Sequence, residues 1–190
     1  MMLASTVAGV WFFSEWLDKE GLLFFILSCI FISIACLIKP TSLYIGLPLL
    51  YLSVKKSGLK FLLRPSVWLF VFLVLGSVFA WYYHGHRIYV ATGQTIALYD
   101  KMLNLELLFT AKFWDRIVIK SLLERHFAWA GFVIFIIGLF SKRKTDGERV
   151  FDWWLLAVFI YILIATKGNY AHDYYQLPFM LPASVVIARV

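Results

Sequence analysis

Trp153-Trp154-Leu155-Leu156-Ala157-Val158-Phe159-Ile160-Tyr161-Ile162-Leu163-Ile164-Ala165 runs without a charge, and Asn169-Tyr170-Ala171-His172-Asp173-Tyr174-Tyr175-Gln176-Leu177-Pro178 follows almost at once. Apolar residues then resume and continue to Ala188. A polar decapeptide between two such runs reads as a loop that leaves one membrane span and enters the next. An interfacial belt explains Tyr170, Tyr174 and Tyr175, because a tyrosine at headgroup level keeps its ring in lipid and its hydroxyl in water. It does not explain His172, Asp173 and Gln176 packed among them. Those three make the loop a candidate binding or active-site segment.

The rest of the chain repeats this texture. Of its 190 residues 62% are hydrophobic and only 15% are charged. A soluble domain has about a quarter charged residues, so the composition predicts an all-α, polytopic transmembrane helix bundle. Expected spans cover about residues 1–16, 22–38, 41–54, 67–83, 127–140, 151–165 and 177–190. The net charge of +7 comes from short loops between apolar runs, and is no nucleic-acid footprint. Cys29 and Cys36, seven apart in one apolar run, share a helix face and lie too far apart along the axis for a disulfide. No basic leader or small-residue cleavage site marks a signal peptide. Both ends are expected to be cut from a longer protein, because the first run starts at the first methionine and the last reaches only 14 residues of the roughly 20 needed to span.

Lys39-Pro40 is a strong helix stop, since the residue before a proline is pushed out of the α region. Pro48 is expected to kink or shorten residues 41–54. Residues 84–126 mix polar and aromatic residues, with no run long enough to cross. Met102, Leu105, Leu108 and their neighbours alternate with Lys101, Glu106 and Lys112, which predicts amphipathic helices lying at the membrane surface and capping the bundle.

Alternation of the spans puts loops 17–21, 55–65 and 142–150 on one side. Lys39, the 84–126 segment and the 168–176 loop fall on the other. Two short loops of the first group carry four cations each, against six spread over 43 residues in the long segment. By cation density the first side is cytoplasmic, in an inner (plasma) membrane. Lys39, His84, His86, Arg87, His126, His172, Asp173 and Gln176 are then all extracytoplasmic, and they include every histidine of the chain.

An ammonium at Lys39, ending an apolar helix, either snorkels or meets an anion. Arg87 could fork a phosphate, with His84 or His86 donating beside it. His84-Gly85-His86 with His172 is too sparse for a zinc site, and the loops lack cysteine. No dedicated metal-ligand set is read, and the cofactor is left open, a divalent cation included. No phosphate-cradling glycine loop is present, which removes support for a cytoplasmic ATP-driven activity.

Taken in order, Lys39-Pro40-Thr41-Ser42-Leu43, Trp81-Tyr82-Tyr83-His84 and His172-Asp173-Tyr174-Tyr175-Gln176-Leu177-Pro178 resemble bacterial integral-membrane glycosyltransferases of the GT-C superfamily. The similar members are the protein O-mannosyltransferase and lipid A aminoarabinose transferase group, also described as dolichyl-phosphate-mannose mannosyltransferase-like. The last motif is similar to their His-[acid]-Tyr-Tyr-x-x-Pro loop. The resemblance implies inverting transfer of a sugar from a polyprenyl-phosphate-linked donor to a lipid, glycan or protein acceptor outside the cytoplasm. It implies substrate-binding roles for Lys39, His84, Arg87, His172, Asp173, Tyr174, Tyr175 and Gln176. It also implies a catalytic carboxylate in the first extracytoplasmic loop, upstream of this chain, so these 190 residues alone are expected to be inactive. A transporter or flippase of a lipid-linked intermediate is the main alternative, and a non-catalytic assembly subunit a lesser one. Transporters place ionisable residues near the bilayer midplane, whereas here they gather at one surface.

Overall fold

The computed structural model describes residues 1–93 and 103–190, and every regular element among them is helical. Two compact units divide the chain near residue 96. Lys101, Met102 and part of the expected amphipathic segment lie outside the described residues.

In the first unit α1 (Met2–Lys19) and α2 (Leu22–Ile38) form a tight hairpin around Glu20 and Gly21. A Cβ on Gly9 would come within 2.5 Å of Ile32 Cδ1 and 3.1 Å of the Ile32 backbone nitrogen, so a larger residue requires Ile32 to shift. Ser28 Oγ donates to the Gly9 carbonyl at 3.0 Å in the same dry contact. Small residues and buried interhelical hydrogen bonds of this kind hold helices together where the hydrophobic effect is weak. Phe13, Trp16, Phe25 and Phe70 interlock edge to face, with centroids 5.0–6.2 Å apart. Cys29 and Cys36 are buried free thiols on α2, packing residues as their spacing predicts.

Lys39 is extended at φ −146°, ending α2 where the Lys-Pro pair predicts. A 3-10 turn, Pro40–Ile45, leads into α3 (Gly46–Ser57). Pro48 does not kink α3: it sits in the first turn, where a missing N–H costs no intrahelical bond. A second 3-10 turn, Gly58–Leu63, leads to α4 (Pro65–Thr92).

α4 corrects the expected boundary at residue 83. It continues for nine more residues and stops only at Gly93, whose φ of 72° makes the left-handed cap. Polar residues do not end a helix; a C-terminal glycine does. His84, His86 and Arg87 are therefore helical.

The second unit opens with two short helices, α5 (Leu105–Leu108) and α6 (Ala111–Trp114), capped by Asn104 and Thr110. A π-helical stretch, Asp115–Phe127, follows and passes into α7 (Ala128–Phe140) at Ala128, φ 54°. The polar 111–127 stretch thus runs on into the span expected at 127–140, and the two together make a helical segment of 30 residues, Ala111–Phe140, with a break in the backbone at Ala128. A 3-10 turn (Asp146–Glu148), α8 (Arg149–Ile164), α9 (Thr166–Ala171), another 3-10 turn (Asp173–Gln176) and α10 (Leu177–Ile187) complete the unit.

α7 and α10 cross so closely that a Cβ on Gly138 would fall 2.2 Å from the Val186 carbonyl oxygen. Phe127, Phe135 and Phe179 form the adjoining aromatic cluster. At the end of α10 the buried Arg189 guanidinium donates to Glu148 at 3.0 Å and to Asp152 at 2.8 Å. Lys144 Nζ donates to the Ala188 carbonyl, fastening the 141–148 loop to the same place.

Pro65–Thr92 and Ala111–Phe140 are long and apolar enough to cross a membrane. At 1.5 Å per residue α4 reaches about 42 Å, against a hydrocarbon core of about 30 Å. Trp68, Phe72, Phe79 and Val90 stand largely exposed along α4, a surface suited to lipid rather than water.

Candidate functional site

The decapeptide 169–178 is less a loop than a broken helix. α9 runs to Ala171, His172 alone is extended at φ −136°, and the 3-10 turn Asp173–Gln176 leads directly into α10. Pro178 favours that restart, having no N–H to leave unsatisfied in a first turn.

The turn is fixed from beneath. Gln176 is fully buried, and its Nε2 donates to the Asn169 carbonyl at 2.7 Å and to Asn169 Oδ1 at 3.3 Å. Its Oε1 accepts from Ser121 Oγ at 3.1 Å. Asn169 Nδ2 in turn donates to the Ala165 carbonyl, and Tyr161 donates its hydroxyl to the Tyr175 carbonyl. Each polar side chain of this network thus has a partner, as a dry interior requires.

Above this network lies the charged surface. Asp173 Oδ1 receives Arg116 Nη2 at 2.8 Å, and Oδ2 pairs with Arg125. The three side chains are about a third to a half exposed, so the group can be reached from solvent. His172 stacks on Tyr174 at 5.2 Å and on Tyr175 at 5.7 Å between centroids. Tyr174 is half exposed and Tyr175 buried. Lys112 lies over the Tyr170 ring, 5.9 Å from its centroid.

Arg116 and Arg125 escape a reading of the sequence for a physical reason. Nine residues at α-helical pitch make about two and a half turns and put them on opposite faces. A π-helix bonds i to i+5 and takes more than four residues per turn, so nine residues make about two full turns. The π-helical stretch therefore aims both guanidiniums at one carboxylate. A search using α periodicity separates them.

Of the residues expected in the site, His172, Asp173 and Tyr174 form this surface. Tyr175 backs it. Gln176 lies below it with both ends of its amide engaged. Lys39, His84 and Arg87 belong to the first unit. His84 and Arg87 are exposed one turn apart on α4, while His86 projects from another face, two residues being about 200° apart on a helix. His84-Gly85-His86 therefore does not converge, and no metal-holding cluster of His, Cys, Asp or Glu occurs among the described residues.

No family model, curated protein or solved structure matches this chain.

Proposed function

We propose that the chain is part of a multi-pass membrane glycosyltransferase that moves a sugar from a polyprenyl-phosphate donor to an acceptor outside the cytoplasm. What supports it is the meeting of Arg116 and Arg125 at Asp173, beside the His172–Tyr174 stack. An exposed ion pair is worth only about 0–1 kcal/mol to stability. Two arginines on one reachable carboxylate are therefore poorly explained as a staple. They are well suited to hold a phosphate, with Asp173 keeping both forks aimed until the donor arrives.

The chemistry asks for such a group. The acceptor hydroxyl attacks the anomeric carbon, the carbon–oxygen bond to phosphate breaks, and polyprenyl phosphate leaves with the electron pair. The acceptor proton passes to a general base that no residue of this chain is assigned. The phosphate goes from a singly charged diester to a monoester bearing a second negative charge. Fixed cations at that oxygen stabilise the transition state more than the ground state. Tyr174 offers a flat face at the same surface for the sugar. Lys39, His84 and Arg87 of the first unit also have the right chemistry for a phosphate.

Binding in detergent micelles tests the reading, with polyprenyl phosphate compared against the neutral polyprenol. Arg116→Gln and Arg125→Gln should each weaken the phosphate lipid about 10- to 150-fold and leave the neutral one unchanged, taking about 1.5–3 kcal/mol for a charged hydrogen bond. Asp173→Asn should keep the phosphate lipid bound. Equal affinities for the two lipids in the wild type would refute the phosphate site.

A further inference from the structure

α3 and α4 of the first unit face each other across an apolar cleft of about 380 Å³. Gly46, Leu49, Leu50 and Ser53 form one wall, at the i, i+3, i+4, i+7 spacing of a single helix face. Val67, Phe70, Val71 and Val74 form the other wall with the same periodicity. Phe13 and Ile32 make the floor, and Ser53 spends its hydroxyl on the Leu49 carbonyl. Each wall runs about 11 Å, seven residues at 1.5 Å. The cleft is thus lined almost wholly by apolar side chains along about 11 Å, the surroundings that part of an alkyl chain needs.

One end is basic. Phe61 closes the cleft there, within the turn Gly58–Leu63, and Lys60 precedes it. Lys56 and Arg64 are held by Asp18 and Glu20, at 2.7 and 3.1 Å. Lys60 is exposed and has no ion-pair partner among the described residues. Its neighbours are built for a headgroup boundary: Leu59 and Leu63 are 74% and 82% exposed. Trp68 donates its indole N–H to the Leu62 carbonyl at 2.7 Å while more than half its surface stays exposed. Exposed leucines, a lysine and a tryptophan at the end of an apolar helix mark the level of lipid phosphates.

We propose that this cleft is a binding site for an anionic phospholipid, one acyl chain lying between α3 and α4 and the phosphate on Lys60. The occupant is a bilayer lipid and not the sugar donor. The site depends on membrane residence but not on catalysis.

Gly46 supplies the decisive variant. It is helical, and a Cβ there meets nothing within 4 Å, so a larger residue enters the cleft without a clash. Gly76 on α4 is equally open and does not line the cleft, which makes it the control.

The protein is extracted from vesicles of equal phosphatidylglycerol and phosphatidylcholine, and co-purifying lipid is counted by native mass spectrometry. Wild type should retain phosphatidylglycerol about fivefold over phosphatidylcholine, the discrimination one lysine gives at a membrane surface. Gly46→Leu should lose the retained lipid, and Gly76→Leu should keep it. Lys60→Gln, on the surface and harmless to the fold, should keep a lipid but lose the preference. Equal retention of both lipids by the wild type, or unchanged retention in Gly46→Leu, would overturn the site. Sugar transfer is a separate readout, so failure here leaves the proposed function standing.

Discussion

Gln176→Leu is the sharpest test of what holds the candidate site in shape. The substitution keeps roughly the same volume and removes three hydrogen bonds, one from Ser121 and two to Asn169. Ser121 and Asn169 are each about 1% exposed, so no water replaces the lost partner. A buried polar group left unsatisfied costs about 1–3 kcal/mol. With Ser121 Oγ and the Asn169 oxygens both orphaned, the expected loss is about 2–6 kcal/mol. Removing the Ser121 hydroxyl as well should cost little more, because Gln176→Leu has already stranded it. Thermal unfolding in micelles, followed by circular dichroism, gives the three stabilities. The turn that carries Asp173 should loosen in parallel, weakening polyprenyl phosphate even though Gln176 does not touch the surface. A Gln176→Leu protein as stable as wild type, or strict additivity with Ser121→Ala, would refute the buried network.

Other expectations are narrower. Arg189→Gln removes a guanidinium only 2% exposed from Glu148 and Asp152, but Arg143 still pairs with Asp152 and the Lys144 and Thr145 N–H groups still donate to Glu148, so it should cost about 1–3 kcal/mol in the same unfolding assay. Gly138→Ala should force α7 off the Val186 carbonyl and destabilise by about 1–3 kcal/mol, whereas Gly76→Ala, facing open space, should be neutral or mildly stabilising. Single cysteines at Ser57 and Thr145, in a Cys29→Ala/Cys36→Ala background, should resist a membrane-impermeant thiol reagent in intact cells. One at Thr110 should react. Labelling of the first two would reverse the expected orientation.

The all-helical character and the stop at Lys39-Pro40 are legible in the sequence because they rest on composition and local backbone sterics. So is the packing role of Cys29 and Cys36, which needs only the α-helical repeat. Legibility fails where the repeat changes. Arg116 and Arg125 share a target only because residues 115–127 are π-helical, and no α-periodic pattern puts them together. The end of α4 is hidden in another way: Trp81 to Arg87 looks like a polar terminus, but the signal that counts is Gly93 and its positive φ. Gln176 shows a third limit. A polar residue among tyrosines looks like a ligand-binding group, and its burial depends on Ser121, 55 residues away.

The proposed transfer requires that a sugar be cleaved from a lipid phosphate. The protein as its gene encodes it, reconstituted in proteoliposomes, is given a labelled polyprenyl-phosphate sugar with no nucleotide sugar and no ion gradient. Glycosidic-bond cleavage and movement of the lipid between leaflets are measured in the same preparation. Label should appear on an acceptor, and transfer should be roughly 10- to 150-fold slower in Arg116→Gln or Arg125→Gln alone. Translocation of the labelled lipid with its sugar–phosphate bond intact would contradict it.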